Sequence, residues 1–316
     1  MKRWLGVLVA LGLWGCQPQE SVPTQPLVVV SSTILRDWVA VVAAGSPVQV
    51  VSLLQPGNDP HTYEPTPADS RVLAQARLIL THGHHLEPGI EKMVSASRTE
   101  APHVEVGADI PTLQKPGSLV PDPHLWGDVR RSQAMVGVLS EALLTLLENE
   151  ADQARIRANT DAYQAELAAL HAWIPQQIQT IPPDQRLLVT THDAFQYYSQ
   201  AYGIPVLGTL IGISTEEQPS AQTVTRLITA IREAGIPTLF AESTLNPDLI
   251  ATVAREANSR LSETLLYSDS LGADGSPAST YVGMMVSNTC AMVVGLGGTC
   301  TPFVAPALTS GSELQP

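Results

Sequence analysis

Residues Val48–Gln75 read VQVVSLLQPGNDPHTYEPTPADSRVLAQ and hold one complete strand–turn–helix unit. The opening VQVVSLL is apolar and β-branched, as a buried strand is. A helix start follows: Thr66 as N-cap, Pro67 at the first helical position and Asp69 in the first turn. Between strand and helix lies Asp59-Pro60-His61. Proline fixes its own φ and holds the residue before it extended, so His61 leaves a stiff turn with its ring aimed. The tripeptide returns as Asp122-Pro123-His124 in VPDPHLWGD. Stiff, aimed imidazoles are what a metal site needs. On the tripeptides alone, two surface turns that carry histidine are an equal alternative.

The same alternation extends on both sides. PLVVVSS (26–32) and LILT (78–81) read as strands, with helical spacing from Ile34 to Ala44 and near Ile90 to Ser95. Another strand is expected near His103 to Val106. Strands alternating with helices imply a parallel sheet. From Arg130 to Leu147 the pattern becomes a long amphipathic helix. Residues 151–180 carry no strand signal and read as a connecting helix, expected to bridge two lobes rather than lie in either core. A second array begins at Arg186. There LLVTT (187–191) delivers His192-Asp193, a strand at Thr238–Ala241 leads to Glu242, and TLLYS (264–268) is expected as the last strand, delivering Asp269. The fold class is therefore α/β: two βα lobes with parallel sheets, over 26–150 and 181–316, joined by a long helix.

Composition narrows the function. The chain has 316 residues, a formal net charge of -13 and 5% aromatic residues. With no basic stripe and few rings to stack on bases, nucleic acid is not a partner. Lys2 and Arg3 precede an apolar run, Trp4 to Trp14, which is too short to span a bilayer. Gly15-Cys16 resembles a lipoprotein processing site. Residues 1–15 are thus expected as a signal peptide, Cys16 as the lipidated residue and 16–25 as a Pro-rich tether. The protein would be exported and membrane-anchored, at the periplasmic or extracellular face. Cys290 and Cys300 remain, an even pair that suggests a disulfide in an exported protein. It would close a loop of about ten residues and stabilise by ~2–3 kcal/mol; two buried thiols are the alternative.

His61, His124, His192 and Asp269 each lie at the C-terminal end of an expected strand or in a turn of that kind. Parallel α/β sheets bind ligands at that end, and a cleft between two lobes would gather all four. Three imidazoles and a carboxylate suit zinc, at roughly 2.0–2.2 Å. Manganese prefers more oxygen, so zinc is slightly favoured. Glu64, Glu87, Asp193 and Glu242 are candidates to receive the second ring N–H of the histidines. His82, His84 and His85 form a local cluster read as supporting or solvated. His103 and His171 read as structural or solvated, Glu216-Glu217 as a solvated loop end, and Met284, Met285 and Met292 as core. Because imidazoles must be deprotonated to bind, affinity should fall below roughly pH 6–6.5.

The segments LLQPGNDPHTYEPTPAD, GHHLE, DPHLWGD, THDAFQYYSQAYG, STEEQPS, FAEST and YSDSLG, with Asn288 in the closing helix, together resemble the solute-binding lipoproteins of zinc and manganese ABC importers, the cluster A-I type. The resemblance runs from about residue 26 to 296. It implies two lobes joined by a rigid helix, with His61, His124, His192 and Asp269 as ligands. It also implies capture of Zn²⁺ or Mn²⁺ for delivery to ABC permease membrane subunits, by a monomer without enzymatic activity. Two departures stand out. Zinc-type relatives often carry a His-rich loop before the second ligand, whereas Pro111 to Pro121 contains no histidine. Many manganese binders have glutamate at the third ligand, where this chain has His192. The rival functions are a metal-dependent hydrolase with Asp269 as base, and a surface adhesin. No HExxH or nucleophile-elbow motif supports the hydrolase.

Overall fold

The computed structural model describes residues 25–114 and 121–306; the expected signal peptide at 1–15, the expected lipidation site Cys16 and most of the expected tether lie outside them. In the first lobe β1 (Leu27–Val30), α1 (Thr33–Val42), β2 (Gln49–Ser52), α2 (Pro67–Leu73), β3 (Leu78–Thr81), α3 (Pro88–Ala96) and β4 (His103–Glu105) alternate. All strand pairs are parallel, in the order β2-β1-β3-β4. Side chains alternate across a strand, and the sheet buries both faces. Val28, Val30, Leu78 and Leu80 join the main core, while Val29 and Ile79 meet Leu73 and Ile90 on the other side.

The helix starts follow the chemistry of their first residues. The Thr66 hydroxyl accepts from the Asp69 N–H at 3.4 Å, and Asp69 Oδ2 accepts from the Thr66 N–H at 2.6 Å, a reciprocal capping box behind Pro67. Ser32 caps α1 through the Leu35 N–H.

Next come α4 (Val129–Leu144) and α5 (Glu150–Ile178), the latter capped by Asn149. The second lobe holds β5 (Leu188–Thr190), α6 (Gln196–Tyr202), β6 (Val206–Thr209), α7 (Ala221–Ala234), β7 (Thr238–Leu239), α8 (Asp248–Ala257), β8 (Arg260–Leu261) and α9 (Tyr281–Gly295). β5 pairs with β6, and β7 with β8, both parallel. The Phe240 N–H donates to the Val189 carbonyl at 3.0 Å and joins the two pairs. The resulting order β6-β5-β7-β8 repeats the order of the first lobe, as expected of two copies of one βα plan.

Two expectations are corrected. Residues 264–268 do not form a strand. Ser262 bonds to both the N–H and the carbonyl of Thr264, which bends the chain and interrupts the ladder after β8. Pairing resumes only at Leu266, whose N–H donates to Ala241 and whose carbonyl accepts from Ser243. The connecting helix, in turn, is more than a strut. Ile156, Tyr163, Leu167, Leu170, Ile174 and Ile178 of α5 recur at helical spacing on one buried stripe. They belong to one continuous core with Val28 and Trp38 of the first lobe and Leu188 and Phe240 of the second. Along its length α5 bonds to the end of α1 through Asn159, to α4 through Gln164 and to α6 through His171.

Cys290 and Cys300 form a disulfide that ties α9 to the segment after it. Beyond it, Phe303 packs on Trp173 of α5. Met284, Met285 and Met292 are buried, as expected of core. Among the described residues, no helix is long and apolar enough to cross a membrane.

A core shared by both lobes predicts one cooperative unfolding transition. Leu167→Ala, at the middle of the stripe, should lower stability by about 2–5 kcal/mol without splitting it. Calorimetry checks this: two resolved transitions in either protein would contradict the shared core.

Candidate metal centre

The two lobes meet with the C-terminal ends of their sheets facing each other. His61 lies in the turn after β2, His124 in the segment after β4, His192 just after β5, and Asp269 after the Leu266 pairing that follows β8. All four are buried. Their ligand atoms lie within 4.8 Å of one another. His124 Nε2 is 3.2 Å from His61 Nε2 and 3.4 Å from His192 Nε2. Asp269 places its two oxygens 3.4 Å from His124 Nε2 and 3.2 Å from His192 Nε2. The edge of a tetrahedron with zinc–nitrogen bonds of 2.0–2.1 Å is about 3.3 Å, so these separations match what one small cation between the atoms would impose. Neither Asp269 oxygen accepts a well-formed hydrogen bond, although both are fully buried. A buried carboxylate so placed is costly without a positive partner.

Each ring is held differently. In both DPH turns the aspartate accepts the histidine backbone N–H, Asp59 from His61 at 2.9 Å and Asp122 from His124 at 3.0 Å. Only Asp122 also holds its own histidine's ring, through Nδ1 at 2.7 Å. Asp59 turns away and accepts from the Thr215 hydroxyl of the other lobe at 2.5 Å. Glu242, delivered by the segment after β7, accepts the His192 backbone N–H at 2.9 Å and bonds to the His192 ring at Nδ1. The bond through Nδ1 turns Nε2 of His124 and His192 inward. Of the expected supporting acids, Glu242 fills the role. Glu87 instead accepts the His82 N–H, and its burial pushes its pKa up to about 7. Asp122 was missed, although its tripeptide was in view.

The cluster of His82, His84 and His85 does not converge. His82 is buried with Nε2 on Ser32 at 2.7 Å, His84 bonds to the Gly107 carbonyl and His85 pairs with Glu91. Gly83, His84 and His85 have φ of 89°, 56° and 60°, a left-handed run that fans the rings apart. His103 bonds to Thr81 and His171 to Tyr202, away from the cluster. Glu216 and Glu217 are exposed.

Residues 28–295 match the zinc-uptake complex component A, periplasmic family, ZnuA. The chain belongs to this family. The zinc-binding protein TroA of Treponema pallidum is 35% identical over 279 residues, 86% of this chain and 89% of that one. Its solved structure superposes with a TM-score of 0.81 at 33% identity, covering 86% of this chain and 99% of that one. The manganese-binding lipoprotein MntA of Halalkalibacterium halodurans is 30% identical over 92% of this chain and 96% of its own. The iron-binding protein YfeA of Yersinia pestis is 32% identical over 85% of this chain and 86% of its own. Solute binding, not catalysis, is thus the family's work.

Electrostatics at this ZnuA-family cleft divides the histidines. Burial lowers the His61 pKa to about 3, so this ring is neutral. Burial also disfavours charge on His124, but the Asp122 hydrogen bond and charge, with those of Asp269, outweigh it and hold the pKa up at about 9. For His192, burial is likewise outweighed by Glu242 and Asp269, and its pKa lies well above the usual value. Asp269 is driven well below the carboxylate range, because His192 and His124 overcome its burial. With pKa values above neutrality, His124 and His192 carry ring protons that a cation binding at their Nε2 atoms must displace.

The sign follows. Raising pH through these elevated values removes the competing protons, so affinity should rise from about pH 6 up to about pH 9, a higher window than free imidazole gives. Titration calorimetry in buffers of different ionisation enthalpy counts the released protons; a pH-independent affinity with no proton release contradicts the assignment. Asp122→Asn should flatten the profile and weaken binding about 10–100-fold.

Proposed function

We propose that this protein is the extracytoplasmic substrate-binding component of an ABC importer, which captures Zn²⁺ or Mn²⁺ and delivers it to membrane permease subunits. His61, His124, His192 and Asp269 are the ligands. The observation that carries this reading is the convergence of three Nε2 atoms and the Asp269 carboxylate in one buried cluster. Related proteins are named for zinc, manganese and iron, so the family alone does not select the cargo. Three imidazole nitrogens to one carboxylate favour zinc over manganese.

Four protein ligands leave no open position of the kind a catalytic metal keeps, which supports binding without catalysis. Related MntA and FimA are named as lipoproteins. On this reading residues 1–15 are removed, Cys16 carries the lipid and residues 16–25 tether a monomer to the membrane. The lobes comprise 26–150 and 181–316, with 151–180 between them.

Competitive titration of the metal-free protein with zinc and manganese tests the cargo, and tighter zinc binding is expected. His61→Ala and Asp269→Ala should each weaken binding by more than about 100-fold, beyond the loss expected from an outer partner, while far-UV circular dichroism stays unchanged. Wild-type stoichiometry and affinity in both variants would rule the ligand set out.

A further inference from the structure

We propose that Trp126 is a positioning residue for the metal centre, fixing Asp269 of the opposite lobe against His124. The inference rests on the reading of the four-residue cluster as the cargo site. Trp126 lies two residues after His124, in the short turn Leu125–Gly127, and is buried. Its indole N–H donates to the Ser268 carbonyl at 2.7 Å, the peptide group immediately before Asp269. The indole ring stands edge-on to the His124 ring at 5.4 Å, and the His82 ring lies 4.8 Å away. His82 is itself held by Ser32. The Trp126 carbonyl accepts from the Tyr281 hydroxyl at 2.7 Å, so its backbone is also fixed from the second lobe.

The geometry explains a need that the cluster leaves open. Asp269 comes from a segment that pairs at Leu266 and is bonded at Tyr267 by the Asn288 side chain, and its carboxylate contacts are to the ligand rings themselves, His124 at 3.4 Å and His192 at 3.2 Å. Its place therefore also depends on the backbone next to it. Thr33 holds the following side, accepting from the Leu271 N–H at 2.9 Å. Trp126 holds the preceding side and also touches a ligand ring. Indole N–H is a donor only, and here it spans 142 residues of sequence to join the second and fourth ligands. Trp126 thus ties the backbone of Asp269 to the ring of His124, beside the Thr33 and Asn288 bonds that hold the same segment.

The test uses the mature full-length protein with Zn²⁺, and Co²⁺ as a spectroscopic probe of ligand geometry. Trp126→Phe keeps an aromatic ring beside His82 and His124 but removes the donor. Zinc affinity should fall about tenfold at unchanged stoichiometry, with a shift in the Co²⁺ visible bands. Ser140→Ala, which breaks the Ser140–Thr160 bond between α4 and α5, supplies the comparison: it should lower the melting temperature and leave affinity and spectrum alone. Trp126→Phe with affinity within twofold of wild type and an unmoved spectrum overturns the proposal. If that variant does not fold, Tyr281→Phe combined with Ser132→Ala releases the Trp126 carbonyl instead, since both hydroxyls donate to it. It should give the same spectral shift with a smaller loss of affinity, and an unmoved spectrum overturns the proposal equally. His192→Ala separates the two readings. Full affinity there would sink the cargo site itself, whereas a wild-type-like Trp126→Phe beside a non-binding His192→Ala sinks only the positioning role.

Discussion

Three ring nitrogens and a carboxylate, all out of water and within 4.8 Å of one another, with the pairs about His124 and His192 a little over 3 Å apart, are costly without positive charge among them. Bare imidazole lone pairs at that spacing repel, and a buried carboxylate without donors is costly. Two protons or one divalent cation meet the same requirement. Exchange between those states needs no change in total buried charge, and the three carboxylates of Asp122, Glu242 and Asp269 face two positive charges in either case.

The architecture follows from holding that cluster. Each lobe has the same strand order, so each offers a crevice where the order reverses. In the second lobe this position carries His192 and Glu242, a ligand and its carboxylate. In the first lobe the corresponding strand ends carry Ser32 and His82, a hydrogen-bonded pair without a ligand role. The two lobes use one plan with different chemistry: the segments after β2 and β4 supply histidines, and the segment after β8 supplies the carboxylate. Bonds across the cleft, from Asp37 to the Tyr281 N–H and from Thr215 to Asp59, add to the core that α5 shares between the lobes. This arrangement disfavours a wide hinge. Of the three rings, His61 is the least tied. No carboxylate bonds to its ring among the described residues, and it keeps slight exposure where His124 and His192 have none.

Much of this was legible in the chain because it is local. The Thr66-Pro67-Asp69 start of α2 is a matter of side chains reaching their own backbone, and such contacts survive in any tertiary setting. The stiffness of both DPH turns is equally local. The strand expected at Thr264–Ser268 failed for a related reason. Its apolar, β-branched composition was real, but the Ser262 side chain outcompeted the ladder at Thr264.

The roles of the two tripeptides could not be read in that way. Asp59-Pro60-His61 and Asp122-Pro123-His124 have identical composition and make the same turn. Yet one aspartate crosses the cleft to Thr215 and the other holds its own histidine's ring. The pairing of Glu242 with His192 over 50 residues, and of Trp126 with Ser268 over 142, is likewise invisible in one dimension. By itself the sequence determined the alternation of strands and helices, the stiff turns and the kinds of donor atom, since these depend on near neighbours. The tertiary structure alone decided which carboxylate orients which ring and what protonation each ring holds, because burial and charge act through space between residues that the chain keeps far apart.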